Sequence, residues 1–343
     1  MRILVVTQAL DTDHPVLGFF HRWVEELAPR VSSLHVIALS VGTHAVPENV
    51  TVHSLGKETG VQPSFIYAWR FLSRAWALRH EYDVVFVHMN QEYVFLAGLM
   101  WKMLGKRVYL WRNHYAGSLL TDVASIWCEK VFYTSRSSYT ARYAHAVRMP
   151  VGVEVVTTPQ SISRKKQSVL WLGRISPAKR PELFVSALKI LKERGVAYTA
   201  TVVGSPLPKD QRYYESLVSE ASALGGSVSF LPEVRHADTH ALFSAHEYFV
   251  NTSPSGMFDK TIFEAAASDT IPLAVSNDWR ELVDDERLSF GADARELANR
   301  LEALSSLSES ERQDLVSSLP TKVVTPHRIE TLMDRLLKEM QNT

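Results

Sequence analysis

Three stretches in the second half of the chain combine charged side chains with turn-forming residues in a way that could do chemistry. The first is Leu172-Gly173-Arg174-Ile175-Ser176-Pro177-Ala178-Lys179-Arg180-Pro181-Glu182, which follows an apolar run and leads into a helical pattern. Gly173 allows the backbone to turn, and Arg174 and Lys179 then stand at the carboxyl end of the strand. A guanidinium presents a planar fork and an ammonium a point charge, a pairing suited to a diphosphate. Taken alone, the same run serves equally well as a basic loop that caps a helix, with Lys179 and Arg180 in water.

The second stretch runs from Asn251 to Ala267, Asn-Thr-Ser-Pro-Ser-Gly-Met-Phe-Asp-Lys-Thr-Ile-Phe-Glu-Ala-Ala-Ala. A strand ends in a loop of Ser, Pro and Gly, and a helix starts near Lys260 and Thr261. Unbonded N–H groups at a helix start favour an anion such as a nucleotide phosphate. Glu264, one turn further in, is placed to accept hydrogen bonds from ribose hydroxyls. The plainer account is helix-start electrostatics, worth a few tenths of a kcal/mol, about 0.3. Met257 and Phe258 argue against it, because a simple cap would be polar there. The third stretch, Ile271-Pro272-Leu273-Ala274-Val275 with Glu281-Leu282-Val283 beyond it, reads as a strand and its following loop.

Positioning these residues needs a regular frame, and the rest of the chain supplies one. Short apolar runs alternate with helical segments, the pattern of a parallel sheet wrapped by helices. In the first half, strands are expected near Ile3–Thr7, Leu34–Leu39, Val50–Leu55, Asp83–His88, Arg107–Trp111 and Lys130–Thr134. Helices are expected at Phe19–Ala28, Phe65–Arg79 and Tyr93–Leu104. The polar run at 161–168, with Arg164-Lys165-Lys166 inside it, reads as a linker. After it the alternation restarts, with strands at Val169–Leu172, Thr199–Val203, Ser227–Leu231, Tyr248–Asn251 and Ile271–Val275. The expected organisation is an N-terminal Rossmann-like domain over 1–160 and a C-terminal one over 169–325. A last helix in 326–343 is expected to pack back on the first domain. Two such domains in succession place a cleft between them, where ligands of α/β folds tend to sit.

Composition narrows the function classes. Lys+Arg and Asp+Glu both number 37, so no overall field points to nucleic acid. A single cysteine, Cys128, excludes an internal disulfide and suits a reducing cytoplasm. The opening run Met1–Thr7 is too short for a signal peptide, and the apolar stretch Val94–Met103 is too short to span a bilayer. Asp11-Thr12-Asp13 is an Asp-x-Asp string after the first strand, but with no second carboxylate cluster it reads as a turn, and no metal is expected. Tyr67 to His80 mixes aromatics with arginines at helical spacing. That suits a peripheral contact with a membrane face, and it suits an ordinary sheet-packed helix better.

Taken together, the three C-terminal stretches resemble the retaining glycosyltransferases of family 4. Members have the GT-B architecture, two Rossmann-like domains facing each other across a cleft. The match lies in Gly173-Arg174 with Lys179, in Glu264-Ala265-Ala266, in Ile271-Pro272-Leu273 and in Glu281-Leu282-Val283, and it extends over Val169 to Val283. The resemblance implies that Arg174 and Lys179 hold a donor diphosphate and that Glu264 holds the ribose. One departure stands out. The family's Glu-x7-Glu needs a glutamate eight positions before Glu264, and that residue is Gly256. Asp259 is the nearest carboxylate that could replace it near the sugar, with a helix cap as its alternative role.

For the first half the resemblance implies a glycine in the loop after the first strand, best matched by Gly18, which serves equally as a helix-start glycine. It also implies a histidine near the donor sugar. His114, in Arg112-Asn113-His114-Tyr115 after a strand, holds that place, with His88 as runner-up. Met149-Pro150-Val151-Gly152-Val153-Glu154 is similar to the segment that closes the family's first domain. The implied activity is transfer of a hexose from a UDP- or GDP-sugar to a hydroxyl on a glycan or lipid-linked acceptor, with no cofactor. On this reading Lys179→Ala would cut turnover by orders of magnitude and leave the fold intact. Two other readings fit: a sugar-nucleotide epimerase of the same fold, and a non-catalytic member that binds a sugar nucleotide or a protein partner.

Overall fold

The computed structural model describes residues 1–155 and 163–342. They divide into two units, one of Met1–Gly152, Arg235–Ala237 and Ile329–Thr343, the other of Val153–Val234 and Asp238–Arg328. Each unit is built on one parallel sheet.

In the first unit the elements run β1 Arg2–Leu10, α1 Gly18–Leu27, β2 Ser33–Val41, β3 Val50–Ser54, α2 Ser64–Ala77, β4 Val84–His88, α3 Gln91–Met103, β5 Arg107–Trp111, α4 Leu119–Ile126, β6 Lys130–Tyr133 and β7 Ala146–Arg148. The sheet order is β3-β2-β1-β4-β5-β6-β7. The chain therefore grows outward on one side of β1 and then returns to grow outward on the other. Right-handed crossovers put helices on opposite faces when the direction of growth reverses. The core divides accordingly. Ile3 and Val5 of β1 pack in a cluster with Phe20, Trp23 and Leu27 of α1. Leu4 and Val6 point the other way, to Phe71 of α2, Val94 and Trp101 of α3 and Ala124 of α4. Burial on both faces explains why the strands are near-continuous apolar runs.

The second unit runs β8 Lys165–Leu172, α5 Pro181–Glu193, β9 Thr199–Val203, α6 Gln211–Ser222, β10 Val228–Leu231, α7 Thr239–Ala245, β11 His246–Asn251, α8 Lys260–Ala267, β12 Ile271–Ala274, α9 Asn277–Val283, α10 Ala294–Ser305 and α11 Glu309–Leu319. Its sheet order is β10-β9-β8-β11-β12. A final helix, α12 at Ile329–Gln341, belongs to the first unit. Its apolar stripe Ile329, Leu332, Met333, Leu336, Leu337 and Met340 recurs at helical spacing and is buried in the α1-side cluster. Its last carbonyls are met by cations: Arg107 Nη1 donates to Met340 O at 2.6 Å and Lys130 Nζ to Glu339 O at 2.9 Å. That placement also complements the negative end of the helix dipole.

Several elements depart from what the hydrophobic pattern announces. Strand β8 begins at Lys165, inside the stretch read as a linker, and Gln167 N–H donates to the Glu247 carboxylate at 2.7 Å. Ser161 and Ile162 of that stretch, and Thr343 of the last segment, lie outside the described residues. Helix α4 was not expected, because Thr121 takes the position where a capping box shows Glu or Gln; its hydroxyl accepts from Ser118 N–H at 3.1 Å. Strand β7 has only three residues, all half-buried, too short to show a period. Helix α9 occupies what reads as a loop, anchored by buried Trp279, whose indole donates to Leu288 O at 2.9 Å.

Candidate functional site

In an open α/β sheet, ligands bind at the carboxyl ends of the strands where the strand order reverses. In the second unit that point lies between β8 and β11, since β9 and β10 extend to one side and β12 to the other. The two loops that leave β8 and β11 carry the charged residues singled out above, and the structure ties those loops together. Lys179 Nζ donates to both carboxylate oxygens of Asp259, each at 2.7 Å. Thr252 links the same loops through its hydroxyl, which donates to Lys179 O and accepts from the Trp171 indole at 2.9 Å. Arg180 Nε completes the tie with a bond to Thr252 O at 3.2 Å.

Asp259 is therefore not a helix cap, although it occupies the N-cap position of α8: its side chain makes no capping hydrogen bond. Besides Lys179 it accepts from the Ser253 hydroxyl and from Asn251 Nδ2 at 3.1 Å. Burial pushes its carboxyl upward, but the Lys179 charge and these hydrogen bonds outweigh burial and hold it below the ordinary carboxylate range. An ammonium has three N–H donors, and Asp259 takes two of those on Lys179. The third has no partner among the described residues. The sequence signal for this cluster was the polar run Asn251-Thr252-Ser253 at the end of an apolar strand, which sequence reasoning left without a role.

Arg174 differs from Lys179. It is exposed and forms no hydrogen bond or ion pair among the described residues, so its guanidinium fork is available to a ligand. Its loop is fixed from below. Gly173 N–H donates to Val203 O at 3.1 Å, and Ile175 N–H to Ser205 O at 3.2 Å. The glycine whose freedom this loop requires is not Gly173, whose φ is ordinary, but Gly204, with φ 148°. A Cβ on Gly204 would lie 1.9 Å from Gly173 O. Gly173 itself would accept a Cβ in van der Waals contact with the Trp171 ring at 3.5 Å.

Position 256, where the resemblance implies a glutamate, has a backbone that favours glycine. Gly256 has φ 96°, a conformation that an L side chain adopts only under strain. The turn that delivers Asp259 to Lys179 is thus built on a glycine where the resemblance implies a carboxylate. Phe258, at φ 31°, is held in a strained conformation by burial, packing edge-on against Phe263 at 4.9 Å. Its apolar character, which seemed odd for a cap, belongs to the core beneath α8.

Lys260 and Glu264 lie one turn apart on α8, on one face, and Thr261 Oγ1 is 3.4 Å from Asn251 Nδ2. Burial pushes the Lys260 ammonium down to about 8, against the opposing pull of Glu264 and Glu154. In the unfolded chain the ordinary value is 10.5, so between the two the unfolded state holds a proton that the folded state has released. Stability must then rise with pH over that interval. Urea titrations from pH 7.5 to 10.5 are expected to show this rise, and Lys260→Met to flatten it; an unchanged slope in the variant would exclude Lys260 as the source.

The first unit holds the remaining candidates. Gly18 opens α1, and its N–H is used by His14 O at 2.9 Å. A Cβ there would stand 3.0 Å from Thr12 O, so the residue serves the tight loop. His14 Nδ1 accepts from Val16 and Leu17 N–H groups at 3.1 and 3.0 Å. Asp13 N–H donates to Asp11 Oδ1 at 3.0 Å, the hydrogen bond of an Asx turn. Among the described residues no group of three His, Cys, Asp or Glu side chains is arranged to hold a metal ion.

His88 ends β4 beside the reversal between β1 and β4, but it is buried, stacked on Phe20 at 4.2 Å, with Thr7 Oγ1 3.3 Å from its Nδ1. His114 follows β5 and is only half-buried. Its Nδ1 lies 3.0 Å from Ala116 N and 3.3 Å from Ala116 O; the shorter contact, with Ala116 N–H donating, is the one made by the tautomer that carries its proton on Nε2. Tyr115 stacks on it at 4.5 Å. Nε2–H has no partner among the described residues and is free to donate.

The two parallel sheets with their interleaved helices make an α/β fold that matches GT-B glycosyltransferases along the whole chain. Residues 166–306 match the family model described as glycosyl transferases group 1. That span contains Arg174, Lys179, Asp259, Lys260, Thr261 and Glu264. No curated relative matches the sequence. Among solved structures, HepE of Anabaena in complex with UDP-glucose superposes with a TM-score of 0.76 at 18% identity, covering 100% of both chains. Sucrose-phosphate synthase of Thermosynechococcus elongatus gives 0.79 at 15% identity, over 100% of this chain and 99% of that one. The UDP-forming α,α-trehalose-phosphate synthase of Burkholderia xenovorans, in complex with glucose-6-phosphate, gives 0.75 at 14% identity, over 99% and 100%. At such identities the likeness is one of fold.

Proposed function

We propose that this chain is a retaining, metal-independent glycosyltransferase of family 4. It moves a hexose from a UDP- or GDP-sugar to a hydroxyl of a glycan or lipid-linked acceptor, and works in the cytoplasm. The observation that carries the reading is the unpaired Arg174 fork at the strand-order reversal of the unit that matches group 1 glycosyl transferases, with the uncapped start of α8 on the neighbouring loop. The neighbour that holds UDP-glucose and the one named as UDP-forming favour uridine over guanosine as the base.

In the proposed reaction the bond from the anomeric carbon to the β-phosphate oxygen breaks and a bond to the acceptor oxygen forms. The acceptor proton leaves with the released diphosphate. Negative charge grows on that diphosphate as its bond breaks. Arg174, the third N–H of Lys179 and the start of α8 lie on the loops that leave β8 and β11, and donors placed there would stabilise that developing charge. Glu264 accepts from the ribose hydroxyls.

The test is a thermal-shift screen of the wild type against UDP-, GDP-, ADP- and dTDP-sugars, followed by calorimetry on Arg174→Ala. Because Arg174 is exposed and unbonded, the variant should melt within about 0.5 kcal/mol of wild type. Its affinity for the donor diphosphate should fall roughly tenfold to hundredfold, the value of hydrogen bonds to a charged group. Undiminished donor affinity in that variant would remove the basis of the reading. Release of an epimerised or free sugar would transfer it to the epimerase class.

A further inference from the structure

A recess of about 440 Å³ opens in the first unit between the end of β3 and helix α2. Small-ligand sites commonly measure about 300 to 1,000 Å³. One wall is the turn at 54–56, and the other is Trp69, Arg70, Ser73 and Arg74, which share a face of α2 at helical spacing. The walls are fixed to each other. Arg70 Nη1 donates to Leu55 O at 2.7 Å. One turn earlier on α2, the Tyr67 hydroxyl accepts from Gln62 N–H at 2.8 Å and donates to Gly60 O at 3.1 Å. Gly56 makes the Arg70 bond possible: its φ is 89°, and a Cβ there would lie 2.6 Å from Arg70 Nη1.

The recess is rich in donors for an anion. A guanidinium carries five N–H groups, and Arg70 spends one on Leu55 O, with no other hydrogen bond among the described residues. Arg74 is exposed and forms no hydrogen bond or ion pair among them. Its charge is felt at His53 of β3, which burial first and Arg74 second push down to about 4. Little on the page neutralises these cations. Residues 60–80 contain no Asp or Glu. Glu58 is close enough to feel the Arg70 charge, but both its oxygens are engaged, Oε1 by the Ser54 hydroxyl and Oε2 by Val41 N–H at 3.2 Å. Two guanidinia one turn apart suit a phosphate, which takes their N–H groups in pairs. Beside them Trp69 is 69% exposed, an indole face on which a flat ring can stack. A bare phosphate would leave the indole unused. A phosphate joined to a planar base engages both kinds of group.

We propose that this recess binds a mononucleotide, with the phosphate on Arg70 and Arg74 and the base on Trp69. The site lies in the unit outside the group 1 match, so it goes beyond the transfer reaction and stands independently of it. The experiment is calorimetric titration of the full chain with AMP, in the Arg174→Ala background so that the donor grip is weakened. AMP is expected to bind, and added salt to weaken it. Inorganic phosphate, glycerol 3-phosphate and adenosine each lack the flat base or the phosphate, and should bind about tenfold more weakly or worse. Adding Trp69→Ser should lower AMP affinity about tenfold, the value of one stacked base, and leave phosphate affinity unchanged. Adding Arg74→Ser should lower both by about tenfold or more, the value of hydrogen bonds to a charged group. Both side chains are exposed, so circular-dichroism melting should match the parent chain. Gly56→Ala should weaken AMP by displacing Arg70; if it melts early, the two surface variants decide. No binding of AMP, undiminished binding in the Trp69 and Arg74 variants, or glycerol 3-phosphate binding as tightly as AMP would overturn the proposal. Because the parent chain already lacks Arg174, such a failure leaves the donor reading untouched.

Discussion

Lys179→Ala will lose stability as well as turnover, contrary to the expectation from sequence that such a variant would lose turnover by orders of magnitude with its fold intact. The side chains of Lys179 and Asp259 are 23% and 19% exposed, and Nζ lies 2.7 Å from the carboxylate. Removing the ammonium leaves a largely buried anion with only Ser253 and Asn251 as donors. Breaking a buried pair costs about 3 kcal/mol, toward the lower end of the range because both groups retain some water. Turnover should fall by a factor on the order of 10² to 10³, the effect of deleting one fixed donor to developing charge.

The double variant Lys179→Ala with Asp259→Asn separates the two effects. It removes the orphaned charge, so most of the stability should return while transfer stays lost. The pH dependence has a definite sign. Asp259 is held below its ordinary value, so the pair contributes stability above the ordinary carboxylate range and loses it as pH falls through the depressed value. The stability gap between wild type and Lys179→Ala should therefore close on acidification. Equal urea midpoints for wild type and the single variant at neutral pH would show that the ion pair has no structural weight.

Gly204→Ala should be nearly as damaging, although Gly204 carries no chemistry. Its φ of 148° strains any L residue, and the new Cβ would meet Gly173 O at 1.9 Å and Gly173 C at 3.0 Å. Both contacts are backbone atoms, so relief requires moving the loop that presents Arg174. That loop is held by hydrogen bonds from Gly173 to Val203 and from Ile175 to Ser205. Strain and displacement together should cost about 2–4 kcal/mol, and donor affinity should fall with the shift of Arg174. The control is Gly173→Ala, where φ is ordinary and the nearest atom would be the Trp171 ring at 3.5 Å. It should be close to neutral in urea titration. If the two variants prove equally stable, the close approach of Gly204 to Gly173 does not govern this loop.

The alternation of apolar runs and helical patterns was legible because the inner strands of both sheets are buried on both faces and most helices bury one stripe, so local periodicity reports them directly. Helix α4 and strand β7 escaped for local reasons, an unusual capping residue and a three-residue length. Gly173 was assigned the turn because it precedes Arg174. The strained backbone lies instead at Gly204, on a different strand, and only the pairing of β8 with β9 brings the two together.

Residue types and local order determined by themselves that Arg174, Lys179, Lys260 and Glu264 follow strands or open helices, where anions are held. They also determined that the glutamate expected at position 256 is a glycine. The tertiary structure alone decided how those charges are used. Lys179 and Asp259 are 80 positions apart in the chain and meet because β8 and β11 are neighbours in the sheet. That adjacency commits most of one cation to an internal carboxylate and leaves Arg174 unpaired. It also makes the glycine at 256 part of the turn that delivers Asp259. Strand order is set by how two whole faces of a sheet are covered, and no local pattern of residues encodes it.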